Sequence, residues 1–252
     1  MKLLAVETAT ARLSVAVLDG ERVLARADED APGAHARLLV PAIDRVFHSC
    51  GLTLKNMNGL AVSIGPGSFT GLRVGLATML GFRLATDLPL AVVPTLEAMA
   101  WNLRGEQRPL CPVLRARTGE VYWAQYQWLP DGSLKQLQEE RAGIFGAVAQ
   151  TVRGPVVLFG DGWQLHRVEL RRLAEQQGAE VHEMPAEASF PSAVSVGLSG
   201  LRRLQKGDVA GRGIAPLYVQ RAEAEVVWEK RGPSSPLAKA SKSRRKARAK
   251  VL

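Results

Sequence analysis

The chain has 252 residues, 46% of them apolar and 6% aromatic, which is the composition of an ordinary globular protein with one large core or two modest ones. Its formal charge of +9 is concentrated at one end, because nine bases and no acid lie from Lys230 onward and the preceding chain is neutral. Cys50 and Cys111 are too few for a disulfide framework, and Glu7 interrupts the only short apolar run at the N-terminus, so no export signal is read and the cytoplasm is expected. The most apolar long stretch, 74–94, carries Arg83 and Asp87, each disfavoured in a bilayer core by about 2.5 to 3.5 kcal/mol, so no membrane span is expected.

Lys2 to Val6 is a short apolar run ending in Glu7-Thr8-Ala9-Thr10. Leu13, Val15 and Val17 then alternate with smaller residues up to the turn Asp19-Gly20, and Glu21 to Ala27 reads as a third strand. Three antiparallel strands are predicted. After Pro32-Gly33, the residues Leu38, Leu39, Ala42, Ile43, Val46 and Phe47 recur at helical spacing, which predicts an amphipathic helix over 34–49 that Pro41 should bend. Leu60 to Ile64 is a buried strand, Gly71 to Thr86 a second helix, Leu88 to Val93 a parallel strand and Thr95 to Leu103 a third helix.

A second block opens near Arg108-Pro109 with another hairpin, 113–117 and 121–128, around Thr118-Gly119. Val156 to Phe159 reads as a strand, Gly160-Asp161-Gly162 as a turn, and Val168 to Glu175 and Ala193 to Leu204 as helices. Both blocks begin with a hairpin and continue as mixed α/β, which suggests two related lobes. The predicted division is a first lobe over 1–107, a second, reduced lobe over 108–229, and a disordered basic tail over 230–252, where large apolar residues are almost missing.

The run Gly65-Pro66-Gly67-Ser68-Phe69-Thr70-Gly71 lies between a strand and a helix. It reads either as an anion cradle at a helix N-terminus or as a tight turn whose glycines supply positive φ and whose Ser68 or Thr70 caps the helix. It is not a Walker loop, because no Gly-Lys-Ser/Thr follows. Gly71 and Gly75 share one helix face with Thr78, Met79 and Phe82, and that face serves either internal packing on the sheet or an interface with a second chain. Glu7, Thr8 and Thr10 offer a carboxylate and hydroxyls at a strand end, where a phosphate or metal site can be built. The four histidines form no i, i+4 pair, and no nucleophile elbow is present, so no complete catalytic constellation is read.

With these residues in view, the chain resembles the TsaB (YeaZ) family of the actin-like ATPase superfamily over roughly 1–221. The run Ser63-Ile64-Gly65-Pro66-Gly67-Ser68-Phe69-Thr70-Gly71-Leu72-Arg73-Val74-Gly75 carries most of the resemblance. The opening strand ending in Glu7-Thr8-Ala9-Thr10, the helix start His35-Ala36-Arg37-Leu38-Leu39-Val40-Pro41, the run 119–124 and Pro216-Leu217-Tyr218-Val219 support it. The resemblance implies an α/β fold of two related RNase H-like/actin-like lobes, with mixed sheets flanked by helices. It also implies a role in making N6-threonylcarbamoyladenosine in tRNA, as a non-catalytic scaffold that binds and activates the transferase TsaD together with TsaE.

Docking in this family implies an interface on the two first-lobe helices, here Leu38, Leu39, Ile43 and Phe47 with Gly71, Arg73, Gly75, Thr78, Met79 and Phe82. The isolated chain forming a homodimer through the same helices is a further expectation. No cofactor of its own is implied, with ATP or ADP at the complex interface and Glu7, Thr8, Thr10, Gly65, Gly67 and Ser68 as nucleotide-adjacent positions. TsaD-like proteins carry a metal-binding His-x-x-x-His on the helix after the strand that here is Leu88 to Val93. Thr95 and Met99 stand at those positions, and neither supplies an imidazole, so no metal site is expected there.

The chain departs from many relatives with Arg115-Ala116-Arg117 in place of Asp-Ala-Arg, and with its basic tail, which would add contacts to tRNA phosphates. The competing readings are a small-molecule kinase or ATPase of the same fold, and a tRNA-binding module acting through the tail.

Overall fold

The computed structural model describes residues 1–211 and 213–220, so the proposed tail and positions 221–229 of the second lobe lie outside the described residues. Lys2–Glu7 (β1), Arg12–Asp19 (β2) and Arg22–Asp30 (β3) form the expected antiparallel meander. His35–Ser49 (α1) then leads to Gly59–Ser63 (β4), Phe69–Thr86 (α2), Leu90–Val93 (β5) and Thr95–Trp101 (α3). Strand β4 lies parallel between β1 and β5, which gives the sheet order β3-β2-β1-β4-β5. Helix α1 runs through Pro41 unbroken. Both Pro41 and Arg37, whose carbonyl loses its donor, are exposed, so water replaces the missing bond.

The second half repeats this plan with Leu110–Arg115 (β6), Glu120–Trp128 (β7), Leu134–Ile144 (β8), Gly146–Ala149 (α4), Gly154–Phe159 (β9), Asp161–Gln176 (α5), Ala179–His182 (β10) and Ala193–Gln205 (α6). Its sheet order, read from β8, is β8-β7-β6-β9-β10, so the two halves share one topology. Strand β8 was not expected from the sequence: it is an edge strand whose Lys135, Glu139 and Arg141 face water, so its pattern carries little apolar alternation. Helix α5 starts at Asp161 rather than Val168, because Gly160-Asp161-Gly162 is the helix start and not a plain turn.

The first sheet is covered on one side by α1 and α2, where Leu4, Val6, Leu60 and Val62 meet Leu39, Ile43, Leu76 and Met79. The other side, with Leu3, Ala5, Ala61 and Ala91, is covered by α6. A Cβ at Gly197 would lie 2.5 Å from Leu18 Cδ1 and one at Gly200 2.6 Å from Ala61 Cβ, so only glycine lets α6 lie this close to the strands. In exchange, α3 buries Leu96, Met99 and Ala100 against Leu110, Leu114 and Phe159 of the second sheet. The division at 107/108 therefore separates the sheets but not the helices. Each half lends a helix to the other, and residues 1–219 make one compact unit.

Candidate functional site

The glycine-rich turn connects β4 to α2. Gly65, at φ 115°, holds a backbone conformation that side chains rarely adopt, and Ser68 caps α2 by accepting from Gly71 N–H at 3.2 Å. The Ser68 N–H donates to Ala9 O at 2.7 Å. A Cβ at Gly67 would run into Ala9 O, one at Gly71 into Thr8 O, and one at Gly75 into Thr8 Oγ1, each well inside van der Waals contact. Three glycines thus seat the first turns of α2 directly on the end of β1. The turn spends these donors inside the chain, and the tight-turn reading describes it better than the anion cradle.

The same geometry corrects the expected interface. Gly71 and Gly75 face Thr8 of their own chain, and Leu39 and Met79 are buried in the first core, so none of these four is turned outward, while Ile43 and Phe47 belong to that core and also line a groove between the helices. Phe47 lies at the rim of a groove of about 370 Å³ between the helices, which Val40, His48, Leu52 and Phe82 also line. Leu38, Thr78 and Phe82 are half-buried and Arg73 is exposed. The outward apolar residues lie outside the set expected for the interface: Val40 is 54% exposed, Leu84 86% and Phe69 38%. On α2 the residues Phe69, Arg73, Ala77, Gly81 and Leu84 recur three and four apart, which could have marked them as one outer stripe.

Arg73 is held in place. Its guanidinium lies 3.7 Å from the Phe69 ring centroid, and its Nε donates to Tyr218 OH at 2.9 Å. The Phe69 and Tyr218 rings stack 5.2 Å apart, and Leu217 N–H donates to Ile64 O at 2.7 Å. The segment around Pro216-Leu217-Tyr218-Val219 therefore returns to the glycine-rich turn and braces the start of α2.

Of the strand-end residues, Thr10 is half-buried and its hydroxyl only accepts from Arg12 N–H at 3.1 Å, a local turn. Glu7 is fully buried and its carboxyl is pushed up from 4.5 to about 7 by loss of water, with the Ala9 N–H and the Ser63 hydroxyl countering part of that rise. One carboxylate oxygen accepts from Ala9 N–H, while Oε2, Thr8 Oγ1, Ser63 Oγ and Thr95 Oγ1 have no hydrogen-bond partner among the described residues.

Thr95 and Met99 are both fully buried. Met99 Cε would lie 3.1 Å from a Cβ at Gly160, so the thioether fills the space beside the second half's own glycine turn. There the arrangement of the first half recurs: Gly160 and Gly162 press α5 onto Val113 and Leu114, and Asp161 Oδ1 accepts from Arg115 N–H at 2.9 Å. Burial pushes the Asp161 carboxyl up, against the pull of Arg115. Two of the turn's donors, the Ser68 and Gly71 N–H groups, are used inside the chain, and the ground between the halves is packed with Leu96, Met99, Leu114 and Phe159. Among the described residues no group of three or more His, Cys, Asp or Glu is placed to hold a metal, and no helix is long and apolar enough to cross a membrane.

The family model for TsaD, tRNA N6-adenosine threonylcarbamoyltransferase, matches residues 28–228. The chain is 36% identical over 170 residues to the tRNA threonylcarbamoyladenosine biosynthesis protein TsaB of Escherichia coli K12, covering 65% of this chain and 73% of that one. It is 26% identical over 236 residues to the protein of the same name from Bacillus subtilis 168, covering 90% and 98%. The solved structure of YeaZ from Pseudomonas aeruginosa superposes with a TM-score of 0.73 at 26% identity, over 86% of this chain and 99% of that one. The paired lobes are those of the actin-like folds. With a family model covering most of its length and full-length relatives that share its two-sheet plan, the chain belongs to the TsaB (YeaZ) family of tRNA threonylcarbamoyladenosine biosynthesis proteins.

Proposed function

We propose that the chain serves threonylcarbamoyladenosine synthesis as a non-catalytic subunit that docks TsaD through the outward faces of α1 and α2 and so supports transfer to tRNA in the cytoplasm. The exposed apolar side chains Val40, which lines the groove at Phe47 and Phe82, and Leu84, near the end of α2, carry this reading. A water-facing Leu gains nothing for its own fold, whereas burial against a partner stabilises by about 1.5 to 3 kcal/mol for a fully covered side chain. In the same reading TsaE joins the pair, ATP or ADP sits at the junction rather than in this chain, and the basic residues after Glu229 add contacts to tRNA phosphates.

The packed ground at Met99 favours a scaffold over a kinase or ATPase. A homodimer of the isolated chain would use the same surface and compete with TsaD. The test is co-purification of TsaD with Val40→Asp and Leu84→Asp. Both variants should fold as the parent does and lose TsaD; retention of TsaD by both would overturn the docking model.

A further inference from the structure

Glu7, Ser63 and Thr95 meet where β1, β4 and α3 end or begin. Strands β1 and β4 run parallel with Val6 opposite Val62, so Glu7 and Ser63 stand side by side at the next position. Both share the sheet face of Ala5 and Ala61, which α6 covers. Ser63 in turn registers with Val93, and two residues on, the Thr95 N–H donates to Gly65 O at 2.7 Å, which ties the start of α3 to the turn after Ser63. All three side chains are buried. Glu7 Oε2 and Thr95 Oγ1 have no hydrogen-bond partner among the described residues, and the Ser63 hydroxyl, with none in full hydrogen-bond geometry, acts only on the Glu7 carboxyl beside it. Buried polar oxygens are rarely left in this state, and three of them together call for a shared occupant. Thr8 Oγ1 points to the opposite face, against Gly75, and is not part of the group.

The geometry points to a binding site for a single monovalent cation, of the sodium or potassium class, between Glu7 Oε2, Ser63 Oγ and Thr95 Oγ1. The donor set is all oxygen, which selects a hard cation over a transition metal. It holds one carboxylate and two neutral hydroxyls, so one positive charge neutralises it. Calcium takes six to eight oxygen ligands and magnesium keeps several waters, and both are served by more carboxylate than is present here. No cationic side chain is among the groups acting on Glu7, so the carboxylate has no fixed counter-charge of its own. A cation there would clamp the ends of β1 and β4 to the start of α3 and so stiffen the turn that launches α2.

The test is thermal unfolding of the full chain at pH 8 in sodium, potassium, rubidium and choline chlorides at equal ionic strength. At a tenfold excess over Kd, the preferred alkali cation should raise the midpoint by about 3 to 6 °C over choline. Glu7→Gln and, separately, Ser63→Ala should abolish the difference between salts. Because Glu7→Gln disturbs a buried site, crystals soaked in rubidium chloride provide a second reading, an anomalous peak beside Glu7. Equal midpoints in all four salts, or rubidium crystals with no peak at Glu7, would overturn the proposal and leave a buried water or a proton as the occupant.

Discussion

Gly75→Ala is expected to destabilise the protein, although alanine is the better helix former. In a solvent-facing helix position the exchange would gain about 1 kcal/mol. At Gly75 the new methyl lands on Thr8 Oγ1, and overpacking of this kind costs about 1 to 3 kcal/mol beyond any propensity gain. The net loss should therefore be about 1 to 3 kcal/mol, or about 2 to 12 °C in midpoint for a unit of this size. Truncating the neighbour relieves the clash. In Thr8→Ala the hydroxyl is gone and the nearest remaining atom is the residue 8 Cβ at 3.4 Å, ordinary van der Waals contact. The double variant should recover most of the loss, so a double-mutant cycle by urea unfolding should return a coupling of about 1 kcal/mol or more. Full stability of Gly75→Ala with no coupling to Thr8, together with loss of TsaD binding, would mean that Gly75 faces a partner and that the packing described for α2 is wrong.

Gly81→Ala, on the same helix with nothing within 4 Å of the new methyl, should raise stability by about 0.5 to 1 kcal/mol in the same urea assay. Folded Glu7 holds its proton to about pH 7 whereas the unfolded chain releases it near 4.5, so folding takes up a proton between these values. In choline buffers stability should therefore be greatest below pH 4.5 as far as Glu7 is concerned and fall by about 3 kcal/mol as pH rises through 7; Glu7→Gln should lack this component, and identical pH profiles would refute it. Cys111 is fully buried with its thiol pushed up, while Cys50 is partly open, so Ellman's reagent should titrate one thiol in the native protein and the second only after unfolding.

The first half of the fold could be read closely from the sequence because its signals are local. The turn Asp19-Gly20, the alternation at Leu13, Val15 and Val17 and the helical spacing from Leu38 to Phe47 each lie within one element. The second half was less legible where local signals weaken. Strand β8 is a charged edge, β10 is four residues long, and Gly162 inside the first turn of α5 hides that helix's start. The exchange of α3 and α6 between the sheets leaves no local mark at all.

At the site, the spacing of Gly71 and Gly75 correctly signals a close approach but does not say to what; the neighbour is Thr8, brought there by the pairing of β1 with β4. Leu84 was legible only as part of an excess of apolar surface on the second helix, because α2 is apolar on several sides and its outer residues do not differ in type from its inner ones. The buried state of Glu7 follows the pairing of β1 with β2 and β4, which joins residues distant in sequence, and so emerges only with the fold.

The most direct test of the account is the threonylcarbamoyladenosine content of tRNA in cells depleted of this protein and complemented with the parent chain or with Val40→Asp/Leu84→Asp. Depletion should lower the modified nucleoside, the parent chain should restore it, and the double variant, present at parental levels, should not. Full restoration by the double variant, or unchanged modification after depletion, would contradict the account.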